Sequence, residues 1–174
     1  MVDEKLVAQI RANAHNYENF SGCTQAVLLA LQEGLKIGDL QSYKAATAFA
    51  GGVARRGETC GALIGAIMAL GLEEGRKKKE DIQKLNDTVA NAYKLADDFQ
   101  HRIETEFNLK RPLPSTMCRD LQLAIYGQSW MMSEPTQRTA FLAAGGHGDI
   151  GCLKVCGIAA ECAAKVVLLK REKQ

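Results

Sequence analysis

The side chains of this chain most able to do chemistry are six cysteines, at positions 23, 60, 118, 152, 156 and 162. Both metal ligation and nucleophilic thiol chemistry need a thiolate, so the question is what could place and ionise these thiols. The compact signatures are missing. There is no Cys-x-x-Cys pair and no ferredoxin-type cysteine run, and no βαβ pattern supports a thioredoxin-like site. Cys152 and Cys156 stand four apart. On one helix their Cβ atoms would be about 5–6 Å apart, against about 3.8 Å in a disulfide. That spacing is poor for a direct bond, but it lets two thiolates share a metal or a cluster.

Other chemistries find little support. No P-loop, dinucleotide-binding fingerprint, Gly-x-Ser-x-Gly elbow or His-Glu-x-x-His motif occurs. Asp97-Asp98 and the pair Glu104 and Glu106 read as solvated helix faces rather than paired catalytic carboxylates. His15 and His101 read as helix-surface residues. His147, in Gly145-Gly146-His147-Gly148-Asp149, lies five residues before Cys152 and could serve as a ligand or proton donor, though a plain loop histidine explains it as well.

The elements that would position the cysteines are helices almost throughout. Leu6, Val7, Ile10 and Ala14 mark a helix over Asp3 to about Tyr17. Ser21 is the expected N-cap of a second, which stops near Gly34. A third spans Leu40 to Ala50 and ends at Gly51-Gly52. Thr59 is the expected N-cap of a fourth, from Cys60 to about Leu72. Ile82, Leu85, Val89, Tyr93, Ala96, Phe99 and Ile103 predict a long amphipathic helix from Lys79 to about Glu106. After Pro112 and Pro114, Ser115 or Thr116 restarts a helix containing Cys118. Ser133-Glu134-Pro135 opens another, which ends at Gly145-Gly146. The last runs from about Gly151 to Lys170. No segment alternates long enough to predict a strand.

Cys60-Gly61-Ala62-Leu63-Ile64-Gly65-Ala66 is the most unusual stretch. Each glycine inside a helix costs about 1 kcal/mol relative to alanine. Gly61 and Gly65 share one face, and close approach of another helix could offset that cost. One reading is tight packing alone. The other is that the stripe brings a second cysteine-bearing helix up to Cys60. Cys60 itself would sit near a helix N-terminus, where the dipole lowers a thiol pKa. Arg55 and Arg56 would add to that effect and Glu58 would oppose it.

Cys60 to Gly65 spells a CGAxxG motif, preceded by Phe49-Ala50-Gly51-Gly52-Val53. With Cys23 in Gly22-Cys23-Thr24-Gln25-Ala26-Val27, Cys118 in Cys118-Arg119-Asp120-Leu121, and Cys152 followed by Val155 and Ala159-Ala160, the chain resembles the C_GCAxxG_C_C family of redox-active proteins. The resemblance covers about residues 20 to 165. It implies a redox role carried by four cysteines, here Cys23, Cys60, Cys118 and Cys152. Cys156 and Cys162 are additions to the four-cysteine pattern. Cys156 reads as a small core residue or a substitute fourth ligand, and Cys162, well round the helix from it, as a core residue.

Cys23, Cys60, Cys118 and Cys152 each fall at or near a predicted helix start, so a bundle could present four thiols at one end. Four thiolates can hold an iron–sulfur cluster or zinc. On that reading Cys23, Cys60, Cys118 and Cys152 are the ligands, Gly61 and Gly65 let the cofactor or a neighbouring helix approach, and the protein transfers electrons. A second reading is a thiol–disulfide redox protein without a cofactor, in which Cys60 attacks and Cys23 or Cys118 resolves. A third is a non-catalytic helical module with six buried cysteines.

Length and composition bound the rest. The chain has 174 residues, of which 47% are hydrophobic and 24% charged, with a net charge of +2 and 6% aromatics. These values fit a single domain over residues 1–174, and the helical pattern along it predicts an all-α bundle of about seven helices. The charge excess is too small to argue for nucleic acid or an anionic membrane, and the aromatics are too few for base stacking. The longest uncharged run, Thr59 to Leu72, has 14 residues, too short for a membrane span. The chain opens Met1-Val2-Asp3-Glu4-Lys5 with no apolar leader, so a cytoplasmic location with reduced thiols is expected. An unidentified redox partner and a homodimer are further expectations.

Overall fold

The computed structural model describes residues 2–173, and they form an all-α bundle. The helices are α1 (Glu4–Tyr17), α2 (Cys23–Leu35), α3 (Leu40–Ala45), α4 (Gly61–Glu74), α5 (Ile82–Glu106), α6 (Cys118–Tyr126), α7 (Pro135–Ala143) and α8 (Cys152–Arg171). A 3₁₀ turn, Ala46–Phe49, follows α3. Among the described residues these eight helices match the eight segments predicted one by one, one more than the overall expectation of about seven; the third is shorter than expected, ending at Ala45 before the 3₁₀ turn. Among the described residues there is no strand, only an isolated antiparallel bridge between Thr59 and Met117.

Helix α8 is the axis of the bundle, with α1, α2, α4 and α5 packed around it. Its Ile158, Ala159, Ala160, Ala163, Ala164 and Val167 have no exposed surface. Small side chains on α8 and α4 let these helices approach, while Ile10, Leu28, Leu31, Leu63, Leu70 and Phe99 fill the space between. Each such large side chain contributes about 1.5–3 kcal/mol through burial. Gly65 lets the two backbones approach closely: a Cβ there would meet the Thr24 carbonyl oxygen at 2.6 Å and Val27 Cβ at 3.1 Å. The small-residue stripe of α4 therefore faces α2, the helix that Cys23 begins.

Helix α5 departs from the sequence pattern. Leu95, Phe99 and Ile103 are fully buried, but Ile82, Val89 and Tyr93 are 55%, 57% and 69% exposed. The physical reason is the direction of the face: the covered stripe runs through Leu85, Thr88, Ala92, Leu95, Phe99 and Ile103, and Ile82, Val89 and Tyr93 lie to one side of it, at about 100° per residue. A second, smaller core of Trp130, Met132 and Phe141 holds the α6–α7 segment together, with Tyr126 and Cys152 against it.

The helix starts fall into two kinds. Asp3, Asp39 and Asp81 cap α1, α3 and α5 through side-chain oxygens. The N-cap positions of α2, α4, α6, α7 and α8 are Gly22, Cys60, Met117, Glu134 and Gly151, and none makes a side-chain capping bond. The expected caps lie one or two residues too early. Ser21 Oγ donates to the Tyr17 carbonyl at the end of α1 instead, and Thr59 takes part in the bridge to Met117.

Candidate functional site: a cysteine-lined cavity

Two backbone devices bring the cysteines together. The first is the bridge between the entries to α4 and α6. The Cys60 amide donates to the Thr116 carbonyl at 2.9 Å, and the Cys118 amide donates to the Glu58 carbonyl at 2.6 Å. Two helices thus start side by side with a cysteine at each start. The second is the glycine-rich segment before Cys60. Gly51, Gly52, Val53, Ala54 and Arg55 all have positive φ, between 51° and 71°. This is a left-handed turn, which costs about 1–2 kcal/mol per non-glycine residue. It is held by bonds such as Val53 N–H to Phe49 O (3.1 Å) and Gly57 N–H to Gly51 O (3.2 Å). Gly52 is required here, because a Cβ would meet Cys118 Cβ at 2.7 Å and Glu58 O at 2.6 Å. Such strain persists only where the surroundings over-determine it.

The result is one cavity of about 490 Å³ whose walls include Cys23, Cys60, Cys118, Cys152 and Cys156. Cys23, Cys118 and Cys152 are the first residues of α2, α6 and α8, and Cys60 is the N-cap of α4. Cys156 lies one turn into α8, its thiol 3.9 Å from the Cys23 carbonyl oxygen. Gln122 Nε2 is 3.5 Å from Cys118 Sγ. The Tyr126 hydroxyl lies 3.7 Å from Cys152 Sγ and 3.0 Å from the Gly146 carbonyl oxygen. Gly61 belongs to the site through space: a Cβ on it would collide with Cys23 Sγ and lie 2.7 Å from Thr24 Oγ1. Cys162 is buried away from the cavity, near Asp98. All six cysteines are free.

The electrostatics differ from the sequence expectation for Cys60. Burial pushes its thiol up to about 12, with the Cys118 charge adding to the rise and the amides of Leu63 and Ala62 opposing it. The helix start acts in the expected direction, and desolvation outweighs it. Arg55 and Arg56 are exposed and do not relieve that burial. Cys118 is likewise pushed up to about 12 by burial and by the Cys23 charge. Burial also raises Cys23, Cys152 and Cys156. In the metal-free protein at neutral pH these thiols are protonated.

Among the described residues, two buried side-chain oxygens lack a hydrogen-bond partner, Glu18 Oε2 and Thr24 Oγ1; Thr24 follows Cys23 in the chain and the Glu18 charge acts on Cys23. Glu18 also lines the cavity. Its Oε1 lies 3.5 Å from His147 Nε2, so His147 reaches the site across the mouth of the cavity. Burial, then the Arg138 charge, lower the His147 pKa and keep the ring neutral. His15 pairs with Asp149 outside the cavity, and His101 is exposed. Sequence reasoning missed Glu18, Thr24, Gln122, Tyr126 and Arg138. No spacing links them to the cysteines, and only the packing of α1, α2, α6 and α7 brings them there.

The donor set suits a thiophilic metal or cluster. Five thiols surround the cavity, two oxygens lack partners, and four helix N-termini are left without side-chain caps. Among the described residues, no group of three or more His, Cys, Asp or Glu is already drawn together to hold a metal ion. The donors therefore ring a cavity rather than form a closed shell.

An all-helical bundle that brings cysteines from four helix starts to one cavity defines a class of protein whose chemistry is that of clustered thiols. The chain belongs to the C_GCAxxG_C_C family. Residues 21–167 match the family described as "Putative redox-active protein (C_GCAxxG_C_C)". No curated protein and no solved structure matches the chain. Among the described residues, no helix is long and apolar enough to cross a membrane.

Proposed function

We propose that the protein binds a metal group through Cys23, Cys60, Cys118 and Cys152: an iron–sulfur cluster, which would make it an electron carrier, or zinc, which is redox-inert and would hold the thiolates without carrying electrons. Cys156 stands beside Cys23 and can replace one of the four. The observation that carries this reading is the convergence of four helix starts, each with a cysteine, on one cavity. Four thiolates bring concentrated negative charge. Each helix N-terminus offers about half a positive elementary charge; the Thr24 amide acts on Cys23 and the Ala62 and Leu63 amides on Cys60, while at α6 the Cys118 and Arg119 amides are taken by the Glu58 and Gly57 carbonyls. The four cysteine-bearing starts carry no side-chain cap, which suits an anionic cluster, whereas α1, α3 and α5 are capped by aspartates; α7, which bears no cysteine, is uncapped as well.

The raised thiol pKa values support the same reading. Buried neutral thiols ionise when a cation replaces their protons, so binding releases protons and strengthens with pH. When bound, an iron–sulfur cluster would supply one-electron redox chemistry. The chain's own part is to exclude water with Met132, Phe141 and Val155 and to place amides toward the sulfurs. Both set the potential. A reducing, cytoplasmic setting and an unidentified redox partner belong to this proposal.

The test is iron and acid-labile sulfide content with an absorption spectrum, on protein purified without oxygen. Iron, sulfide and visible charge-transfer bands that vanish with chelator or oxygen are expected. Colourless protein that takes up neither iron nor zinc on reconstitution overturns the reading.

One observation favours a thiol–disulfide reaction instead. Cys23, Cys60 and Cys118 are close enough for their charges to act on one another. Two thiols would form one disulfide, releasing two protons and two electrons to an acceptor. Against this, Cys60 is not activated. If it were the nucleophile, Cys60→Ser would abolish fast thiol labelling of the metal-free protein.

A further inference from the structure

We propose that Glu18 is an oxygen ligand of this metal site, so that the cavity offers a mixed thiolate–carboxylate donor set. This rests on the metal-binding reading above and goes beyond its four cysteines.

Glu18 is 3% exposed, and an unpaired buried carboxyl group is expensive to keep. Oε2 has no hydrogen-bond partner. Among the described residues, Oε1 meets His147 Nε2 at 3.5 Å, a ring whose charging burial opposes. The residue does nothing for its own helix. It is the C-cap of α1, where the negative end of the helix dipole disfavours a carboxylate. It does line the same cavity as Cys23, Cys60, Cys118, Cys152 and Cys156, and its charge acts on Cys23, Cys60, Cys118 and Cys156. A carboxylate among thiolates suits borderline divalent ions such as Fe²⁺, Zn²⁺ and Co²⁺ rather than Cu⁺. A carboxylate is also a harder donor that holds such ions less firmly than a thiolate, so the metal atom it holds would be the one open to exchange.

The experiment loads the reduced, metal-free protein with Zn²⁺ or Co²⁺ alone. X-ray absorption of the wild-type zinc form is expected to show sulfur at about 2.3 Å together with an oxygen or nitrogen donor at about 2.0–2.1 Å. In Glu18→Gln, that light-atom donor should be lost and Co²⁺ affinity should fall by about tenfold or more. The sulfur-to-cobalt charge-transfer band should remain. Glu18→Asp should recover part of the affinity. A wild-type shell made only of sulfur overturns the proposal, and that measurement needs no variant to fold. Unchanged affinity and shell in Glu18→Gln also overturn it, as does loss of the light-atom donor in His147→Ala but not in Glu18→Gln. In each of these cases the thiolate band persists and the cysteine reading stands. Absence of any sulfur-to-cobalt band in the wild type removes both.

Discussion

Glu18 and Glu161 are both buried, at 3% and 8% exposure, and the bundle treats them in opposite ways. Glu161, on α8, sits in a structural network. Its carboxylate is 2.5 Å from Arg11 Nη1, 2.8 Å from Lys165 Nζ and 3.1 Å from Arg102 Nη2. Burial pushes its pKa up, but the bonds from Lys165 and Arg11 and the Arg102 charge outweigh burial and hold it at about 2. Arg11 and Arg102 also grip Glu106 at 2.6 Å each, tying α1, α5 and α8 together. Glu18 has no such cations bonded to it, and burial drives its pKa far above the usual carboxylate range. One glutamate joins helices, and the other is left unsatisfied beside five thiols. Where a fold can satisfy a buried carboxylate and does not, the residue is held for something other than stability.

The largest expected effect sharpens this contrast through backbone packing at the cysteine end. Gly65→Ala forces a methyl group against the Thr24 carbonyl and should destabilise the protein by about 3 kcal/mol. Chemical denaturation would measure it, and a loss below about 1 kcal/mol would show that α2 and α4 can separate freely.

Next comes the network. Glu161→Gln leaves Arg11 and Arg102 short of a counter-charge and should cost about 2 kcal/mol at pH 7, discounted because both arginines are partly exposed. The pH sign follows from a folded pKa depressed below the ordinary 4.5. The stability Glu161 contributes is present above about pH 4.5 and fades as pH falls toward 2. The wild type and Glu161→Gln should therefore converge in acid.

Glu18→Gln should act in the opposite direction. With its folded pKa raised above the ordinary 4.5, Glu18 favours the folded state most below pH 4.5. Its effect turns unfavourable as pH rises toward the folded value. In the metal-free protein, Glu18→Gln should gain about 1–2 kcal/mol at pH 8 and nothing near pH 4. A loss of stability at pH 8 would break the comparison, because it would mean that Glu18 is satisfied in the folded chain. The same variant is expected to bind metal less well, so stability and binding should move apart.

The smallest effect is a control at the far end of α4. A Cβ on Gly71 meets nothing within 4 Å, so Gly71→Ala should stabilise by about 1 kcal/mol through helix propensity alone. Set beside Gly65→Ala, it separates glycines kept for close approach from a glycine that is not.

Much of the fold was legible. Helix periodicity placed α1, α5 and α8 nearly as they stand, and the Gly61/Gly65 stripe foretold the close approach of a cysteine-bearing helix. The four cysteines at helix starts were legible for the same reason: cap positions are local. The caps themselves were misplaced, because Ser21 and Thr59 found partners in an earlier turn and in a distant segment. The ionisation of Cys60 was misjudged because a helix dipole is a local property and desolvation is not. Cys156 had the sequence signature of a core residue, yet the cavity wall includes it.

The sequence alone determined an all-helical chain, the placement of Cys23, Cys60, Cys118 and Cys152 at helix starts, and membership of a family defined by those cysteines. These depend on contacts within a few residues of one another. Only the tertiary structure decided that the four starts meet, that Cys156 joins them, that the thiols are neutral, and that Glu18 stands among them unpartnered. Burial and charge depend on which distant groups surround an atom, and no local pattern carries that information.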